Sequence, residues 1–392
     1  MRREGTAMGY RTYTCSVHRD CGGCSLLTRP YPLQLARKQE EVVELFSGFP
    51  EARIEPIIGM EEPLHFRNKI LTPFASGKKG RIIHGLYRKH SHQVIAHDDC
   101  LVVDERAQPI LDAIANLMPS FKMRPYDEDR REGLLRHVLI RTSRSTGEIM
   151  VTLVCTRSRF PSQKTFVKVL RERCPEISTV VLNVNGRVTN VVLGEEEHVL
   201  FGRGWISDEL LGYRFRISSQ SFFQTNLSQT EKLYAAAIEA AGLDGTQTVL
   251  DTYCGIGTIG IIASGHAAEV VGVERNGRAV RDARSNARAN KVGNIRFVEA
   301  DATDFMRTAA AEGGSADVVF LDPPRAGATP EFLSSLTALA PECIVYISCN
   351  PKTQVRDVEM LRERGWRLAG VQPVDMFPHT PHIETVASMT RG

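Results

Sequence analysis

From Thr248 onward the chain alternates short apolar runs with segments of helical periodicity, and this alternation restricts the fold more than any other feature of the sequence. Alternating strands and helices predict an α/β fold with a parallel, doubly wound sheet. Ligands of such sheets bind outside the carboxyl ends of the strands. The polar residues that close each strand are therefore the first candidates for function. The predicted strands are TVLDT, EVVGVE, IRFVEAD, DVVFLD and IVYIS.

The first predicted strand ends in a glycine-rich turn that runs from Asp251 to Gly257. Glycines let a ligand approach the backbone, and the following helix offers free N–H groups at its N-terminus. The spacing C-G-I-G-T-I-G also fits a dinucleotide, so the turn alone does not exclude NAD. Glu274 and Asp301 close the next two strands, where a ribose diol and an adenine amine could bind. These acids favour S-adenosylmethionine (SAM), although they could also be helix caps or surface charges.

The fourth and fifth strands end in two further candidates for chemistry. The fourth closes with Asp322-Pro-Pro-Arg325, in which the prolines stiffen the turn that holds the carboxylate. Amino-methylating enzymes usually have an aromatic residue where Arg325 stands, so adenine-N6 methylation is disfavoured. Cys349 closes the fifth strand, near the N-terminus of a helix. We expect a lowered thiol pKa there and hence a nucleophile.

A cysteine cluster stands near the beginning of the chain. Cys15, Cys21 and Cys24 have the spacing C-x5-C-x2-C, and the next cysteine is Cys100. A tight triplet with one distant cysteine resembles ferredoxin-type ligation more than a zinc ribbon, which usually has two C-x2-C pairs. The pattern therefore favours a [4Fe-4S] cluster over zinc. Simple burial of the four cysteines is the third interpretation.

The segment from Phe66 to His92, here called the basic strip, contains seven Lys or Arg residues and no acidic residue. Aromatic residues are interleaved with the cations, and Gly77 and Gly80 flank Lys78 and Lys79 as they would at a hairpin tip. Clustered cations suit RNA phosphates because binding releases counterions. The alternative is an exposed basic hairpin without a ligand.

Short alternating strands follow between Leu134 and Trp205, with a helix over 163–173, and predict an α+β domain with an antiparallel sheet. The predicted strands are HVLIRTS, EIMVTLVC, TVVLNVN and TNVVLG. Tyr31–Phe46 has the periodicity of an amphipathic helix. No apolar run approaches the about 20 residues that span a bilayer. Because the N-terminus also lacks a leader-like apolar segment, we expect a cytoplasmic protein with no membrane contact.

Five motifs, in order, carry a family resemblance: SFFQTN, LDTYCGIGTIG, LDPPRAG, SCNP and DMFPHTPHIE. Together they resemble the RNA (uracil-5-)-methyltransferases of the RumA/TrmA type, and the cysteine set is similar to the iron–sulfur site of the RumA branch. The resemblance runs from Cys15 almost to the C-terminus. RumA-like enzymes often begin with a small RNA-binding TRAM domain. Only 14 residues precede Cys15 here, so we expect that domain to be absent and RNA contact to fall on the basic strip.

The resemblance implies a role for each candidate residue. Cys349 would be the nucleophile that adds to uracil C6, and Glu384 the base that removes the C5 proton, with His379 and His382 as rival bases. Asp322 would bind the imide edge of uracil or the amino end of SAM. The SAM contacts implied are Gln224, Tyr253, Glu274 and Asp322, with Asp301 as a neighbour of the adenine and Thr258 as a less secure candidate. The cluster ligands implied are Cys15, Cys21, Cys24 and Cys100.

The expected architecture is therefore a Rossmann-like SAM-dependent methyltransferase domain over 218–392, preceded by an α+β iron–sulfur and RNA-binding region over 1–217. The expected partner is structured RNA, with 23S ribosomal RNA favoured over the T-loop of tRNA, and no obligate protein partner. Two alternatives stay open. One is an iron–sulfur RNA-binding module without catalysis. The other is cytosine-C5 methylation, which usually uses a Pro-Cys nucleophile, whereas Ser348 precedes Cys349 here.

Overall fold

A computed structural model describes residues 11–189 and 191–392 of the chain. Two large sheets account for most of the strands. The first elements are a one-turn helix α1 (His18–Cys21), a long helix α2 (Tyr31–Leu45) and a short strand β1 (Arg53–Ile54). The α2 helix begins at Tyr31 because Pro30 and Pro32 fix the backbone there without loss of a helical hydrogen bond.

A seven-stranded sheet follows, with strand order β4-β3-β2-β5-β6-β7-β8. Its strands pair antiparallel except β6 and β7, which are parallel because the crossover helix α4 joins them. The helices α3 and α4 contribute apolar side chains to its core. The elements are β2 (Lys69–Ser76), β3 (Ile82–Tyr87), β4 (Val94–Ala96), α3 (Ala107–Leu117), β5 (Leu135–Thr142), β6 (Ile149–Cys155), α4 (Gln163–Arg173), β7 (Ile177–Val184) and β8 (Glu196–Phe201).

One strand prediction in this region is wrong. Residues 191–194 of the segment TNVVLG lie outside any strand, and Asn190 lies outside the described residues. The side chain of Asn183 takes the place of a strand partner: its Nδ2 donates to Gly194 O at 2.9 Å, and its Oδ1 accepts from Gly194 N at 2.7 Å. The strand therefore begins only at Glu196.

The third part of the fold begins with an antiparallel hairpin and a helix, β9 (Trp205–Leu210), β10 (Tyr213–Ser218) and α5 (Leu227–Ala241). Strands and helices then alternate to the C-terminus, which confirms the predicted α/β pattern. These elements are β11 (Thr248–Thr252), α6 (Thr258–Ala263), β12 (Glu269–Glu274), α7 (Gly277–Ala289), β13 (Ile295–Glu299), α8 (Ala302–Ala311), β14 (Val318–Leu321), α9 (Pro330–Leu339), β15 (Cys343–Ser348), α10 (Pro351–Arg362), β16 (Trp366–Val374) and β17 (Glu384–Arg391).

These strands form an eight-stranded sheet in the order β1-β16-β17-β15-β14-β11-β12-β13. Strand β17 is antiparallel to both of its neighbours, and the other pairings are parallel. Buried apolar side chains pack on both faces of the sheet. The carboxyl ends of β11, β12, β14 and β15 therefore meet at one edge, as the alternation predicted.

An N-terminal segment completes this sheet. Strand β1 pairs with β16, with Arg53 opposite Gly370 and Ile54 opposite Val371. In addition, Val42 of α2 and Phe46, which follows this helix, belong to the apolar core beneath the sheet. The division at 217/218 stays a prediction, but α2 and β1 pack with the elements that follow it.

Candidate active site

The two residues expected to carry the chemistry lie side by side at the carboxyl edge of the large sheet. Strands β15 and β17 are antiparallel, and their last registered pair at this edge is Ser348 opposite Thr385. Cys349 and Glu384 are the next residues outward on the two strands. Glu384 is buried, with 4% of its surface exposed, whereas Cys349 is partly exposed. The Cys349 thiol and the buried Glu384 carboxyl group therefore lie next to each other at this edge of the sheet.

Burial controls the protonation of this pair. It raises the pKa of Glu384 to about 8, and the nearby Asp322 carboxylate adds to the effect. Burial also raises the pKa of Asp322 to about 7. The pKa of the Cys349 thiol is raised by burial first and then by Glu384 and Asp322, while Arg325 opposes the shift. The prediction of a lowered thiol pKa is wrong, because burial, together with two acidic neighbours, outweighs one cation.

Tyr234 is a member of the site that the sequence did not suggest. It lies on α5, is 3% exposed, and its hydroxyl faces Thr258 and Gln224. Burial raises its pKa, and the charges of Asp322 and Glu384 add to the shift. Its hydroxyl therefore stays protonated and links the glycine turn to the SFFQTN loop.

The two rival histidines occupy different surroundings. His379 is buried, and both of its ring nitrogens are engaged: Nδ1 lies 3.1 Å from Gln34 Nε2, and Nε2 lies 2.9 Å from Pro63 O. These contacts leave His379 unsuited to proton transfer at the sheet edge. His382 is exposed, with Nδ1 at 3.3 Å from Arg325 Nη2. Glu384, in contrast, begins β17 next to the registered pair of Ser348 and Thr385, and Cys349 follows Ser348 directly.

The glycine turn leaves a polar group for a ligand. Gly257 has a φ of +81°, which only glycine adopts without strain, and it opens helix α6. Asp251 is 1% exposed, and its Oδ2 accepts a hydrogen bond from Gly260 N at 2.8 Å, whereas the buried Oδ1 has no partner. Burial raises the pKa of Asp251 to about 8. A buried polar atom without a partner is unusual and points to a missing ligand or water.

Glu274 and Tyr253 flank this turn. Glu274 accepts from Gly255 N at 3.2 Å and from Asn276 N at 2.7 Å, which orients its carboxylate and leaves lone pairs for other donors. Tyr253 has a φ of +63°, an uncommon conformation for a residue other than glycine. Its half-buried ring lies 5.6 Å from the ring of Phe332.

The hydrogen bonds of Asp301 are those of a helix cap, not of the glycine turn. It caps helix α8, where its Oδ1 accepts from Thr303 N at 2.9 Å and from Asp304 N at 3.4 Å. Asp301 is therefore a helix cap, which is one of the roles that the sequence left open for the acidic residues. Its charge still contributes to the raised pKa of Tyr253, so Asp301 lies near the Tyr253 ring.

The four N-terminal cysteines line one cavity of about 310 Å³, together with Arg67 and Lys69. Gly22 ends the short helix α1 with a φ of +64°, which turns the chain between Cys21 and Cys24. Burial raises the pKa of Cys24 to about 12, and Cys100, Cys21 and Cys15 add to the shift. The structure therefore brings together all four thiols that the spacing singled out.

Neither a single metal ion nor the expected [4Fe-4S] cluster is shown by this arrangement. Within residues 11–189 and 191–392, no group of three or more His, Cys, Asp or Glu is spaced to hold one. A zinc ion needs its sulfur ligands at about 2.3 Å, so the zinc alternative gains no support.

The described part of the chain also contains no helix that is both long enough and apolar enough to cross a membrane.

The basic strip is only partly available for RNA. Its hairpin prediction is confirmed, with a tight turn over Lys78–Gly80 between β2 and β3. However, Arg67 and Lys69 are turned toward the cysteine cavity, and burial lowers the pKa of Lys69 to about 8. Arg88 forms an ion pair with Asp20 at 3.1 Å. The exposed cations of the strip are Lys78, Lys79 and Arg81 at the hairpin tip, and Arg88 and Lys89 between β3 and β4.

Comparison with known proteins gives the family. The model of the tRNA (uracil-5-)-methyltransferase family matches residues 30–391. An uncharacterized RNA methyltransferase of Oceanobacillus iheyensis is 40% identical, with 96% of this chain and 82% of the relative aligned. A second uncharacterized RNA methyltransferase, from Staphylococcus aureus, is also 40% identical, over 95% of this chain and 83% of the relative.

A solved structure shows the same architecture. The tRNA (uracil-54, C5)-methyltransferase of Pyrococcus abyssi, in complex with S-adenosyl-L-homocysteine, superposes with a TM-score of 0.78 at 28% identity. The superposition covers 94% of this chain and 86% of that one. Fold and site thus define an RNA methyltransferase built on a Rossmann-like sheet. The chain belongs to the tRNA (uracil-5-)-methyltransferase family, as the five motifs implied.

Proposed function

We propose that this enzyme methylates C5 of a uracil in structured RNA, with SAM as the methyl donor and a covalent link between Cys349 and uracil C6 as the intermediate. The observation that carries the proposal is the placement of Cys349 beside the buried carboxyl group of Glu384 at the end of the β15–β17 pair. A methyl transfer to carbon needs both a nucleophile that activates the ring and a base that removes the C5 proton.

The residues at the glycine turn fit SAM. The buried Oδ1 of Asp251 has no partner, and the oriented carboxylate of Glu274 can accept from a ribose diol. Tyr253 offers a partly buried ring next to the same turn, and Gln224 and Asp322 face Tyr234 across it. SAM, when bound, supplies an electrophilic methyl group. These residues would hold it, with Asp301 near the adenine end.

The chain's own groups would act in sequence on the uracil. The Cys349 thiolate forms a bond to C6, and the electron pair of the C5–C6 bond moves toward O4, so that C5 becomes nucleophilic. After C5 has gained the methyl group, Glu384 takes the C5 proton. The electrons of that C–H bond restore the double bond, and the sulfur leaves C6 as a thiolate. Arg325, which opposes the raised pKa of Cys349, favours the thiolate at both ends of this cycle.

In this proposal Asp322 would select the base. A carboxylate accepts a hydrogen bond from N3–H of uracil, whereas cytosine presents an acceptor at N3. A site whose buried polar groups are left unpaired by the wrong base rejects that base strongly. Selection by Asp322 therefore supports uracil over cytosine as the target.

The cysteine cavity supports a [4Fe-4S] cluster held by Cys15, Cys21, Cys24 and Cys100. All four thiols face one space of about 310 Å³, and a cubane spreads its sulfur ligands farther apart than a single ion does. The cluster would fix the loop-rich segment 15–30 against strands β2 and β3. Anaerobically purified protein should contain about four iron and four sulfide per chain. Cys100→Ser should lose them, whereas Cys343→Ser, outside the cavity, should keep them. Unchanged iron in Cys100→Ser would contradict the assignment.

We favour 23S ribosomal RNA as the substrate because the cysteine set resembles that of the ribosomal-RNA branch. A second candidate is the T-loop uracil of tRNA, and the structural similarity to the tRNA enzyme of Pyrococcus abyssi favours it. Either target uracil has to leave its stack to reach the sheet edge, which suits loops of folded RNA.

The test is direct. Anaerobically purified enzyme is incubated with labelled SAM and with unmodified 23S rRNA or unmodified tRNA, and the digested RNA is analysed by mass spectrometry. 5-Methyluridine in 23S rRNA supports the first candidate, and in tRNA alone it supports the second. If neither RNA gains 5-methyluridine while the protein binds both, the assignment fails and an RNA-binding module without catalysis replaces it.

A further inference from the structure

A concave surface of about 700 Å³ lies between helix α7 and the strands β8 to β10, away from the basic strip. Six arginines line it, and we call it the arginine groove. They are Arg203, Arg216, Arg278, Arg281, Arg284 and Arg288. We propose that this groove binds the phosphate backbone of the substrate RNA outside the nucleotide that is methylated, an inference that rests on the proposed function.

The concentration of cations is unusual for this half of the chain. Residues 201–392 contain 19 Lys and Arg against 22 Asp and Glu, so the half as a whole is slightly acidic. All six groove arginines come from it. An acidic half that places about a third of its cations in one concavity indicates a site for an anion rather than a generally basic surface.

The three acidic residues of the groove balance its six arginines only in part. Asp282 lies 3.9 Å from Arg216, and Arg203 forms an ion pair with Glu148, which does not line the groove, so positive charge remains in excess. Asp282 accepts hydrogen bonds from the hydroxyls of Ser218 and Ser221 at 3.1 and 2.9 Å. Glu197 accepts from Asn183 Nδ2 at 3.0 Å and from Ser219 Oγ at 2.5 Å. Glu195 lies 3.5 Å from Arg187, which does not line the groove.

Helix α7 presents its arginines as one row. Arg278, Arg281 and Arg288 are spaced by three and seven residues, so they share a helix face, while Val280 and Ala283 are buried on the opposite one. Between Arg278 and Arg288 the helix rises about 15 Å, which is long enough to meet several successive phosphates. Like charges three residues apart destabilise a helix slightly, and a bound polyanion would reverse that cost.

The opposite wall is held in place by an aromatic ring. The guanidinium of Arg203 lies 3.9 Å from the ring centroid of Trp205, and that of Arg216 lies 4.9 Å from it. Cation–π contacts of this kind fix the direction of long side chains. The two arginines of this wall are therefore oriented before a ligand arrives.

The groove is connected to the catalytic edge through one loop. Arg278 Nη1 donates to Gln220 Oε1 at 2.6 Å, and its Nη2 donates to Glu195 O at 2.6 Å. Gln220 is four residues before Gln224, which faces Tyr234 in the active site. An RNA strand held in the groove thus contacts the same loop that borders the methyl-transfer site.

The double variant Arg281→Gln/Arg288→Gln tests the proposal, with Arg364→Gln/Arg367→Gln as a control that removes the same charge from exposed positions outside the groove. Binding of transcribed 23S rRNA and of transcribed tRNA is measured without SAM, by filter retention, from 50 to 300 mM KCl. The groove variant should bind the substrate RNA about tenfold more weakly, with a salt slope shallower by about 1.4–1.8 because two phosphate contacts are lost.

Equal affinity and slope for the groove and control variants would overturn the proposal and leave an acidic protein as the alternative ligand. Failure of the proposed function is seen separately, as the absence of 5-methyluridine with the wild-type enzyme, because the binding series does not depend on methyl transfer. Circular dichroism of both variants confirms that neither has lost its fold.

Discussion

Lys38 and Asp375 form an ion pair of 2.6 Å whose side chains are 2% and 0% exposed, although 337 residues separate them. Tyr31 adds a hydrogen bond to the second oxygen of Asp375 at 2.9 Å. Asp375 opens the loop that leads to Glu384. The pair therefore fixes the start of the loop between β16 and β17 to helix α2.

Replacement of Lys38 with methionine should destabilise the protein by about 3–5 kcal/mol, because Asp375 would remain buried without its cation. Urea unfolding measures the change. Lys38→Met/Asp375→Asn should recover most of the loss, since the second change removes the unpaired charge. If the double variant is no more stable than Lys38→Met, the ion pair is not the cause.

Glu384→Gln and Cys349→Ala should fail at different steps. Without the base, the methylated adduct cannot lose its C5 proton, so Glu384→Gln should accumulate a protein–RNA complex that survives denaturing electrophoresis. Turnover should fall by about 10²–10⁴, the usual contribution of a general base. Cys349→Ala should give neither adduct nor product while it still binds RNA. An adduct formed by Cys349→Ala would disprove the assignment of the nucleophile.

The rate at which the methylated RNA is released from the adduct should increase with pH through the neutral range. Glu384 has to be ionised to accept a proton, and burial holds its pKa near 8. Below that pH the active fraction falls, by about tenfold per pH unit on the acid limb. The observed pKa belongs to the coupled set of Glu384, Asp322 and Cys349. Single-turnover rates from pH 6 to 9 measure it, and a rate independent of pH over this range would contradict a buried carboxyl base.

Gly257→Ala should be more harmful than Gly242→Ala, although both glycines have positive φ. A Cβ at Gly257 would lie 2.8 Å from the Phe297 ring, whereas a Cβ at Gly242 would meet nothing within 4 Å. Overpacking should therefore cost about 1–3 kcal/mol beyond the backbone strain that both share. Urea unfolding and calorimetric titration with S-adenosyl-L-homocysteine measure the stability and the cofactor site. Equal losses for the two variants would show that the packing argument is wrong.

The features that the sequence predicts correctly are those that depend on local patterns of residues. Alternation gave the large sheet, and the order of its strand ends placed Asp251, Glu274 and Cys349 at one edge. The sequence does not predict Tyr234 as a site residue, because a tyrosine within an apolar helix resembles an ordinary core residue. The raised pKa of Cys349 also could not be derived, since it depends first on burial and then on Glu384 and Asp322, which come from different parts of the chain.

Long-range contacts account for most of what was missed. Nothing near Lys38 in the sequence indicates a partner at Asp375, and the pairing of β1 with β16 joins segments more than 300 residues apart. The arginine groove was missed for a related reason. The α7 arginines alone are typical of a solvent-exposed helix face, and only the fold brings Arg203 and Arg216 opposite them.

The pairing of β1 with β16 determines when the large sheet can be completed during biosynthesis. Helix α2 and strand β1 leave the ribosome among the first segments, but the surfaces that bury Val42 and Phe46 and the strand that pairs with Arg53 are made last. During almost the whole of translation these N-terminal segments lack their native neighbours, because non-local contacts form only when both segments exist. The large sheet therefore reaches its final form only after β16 and β17 have been synthesised.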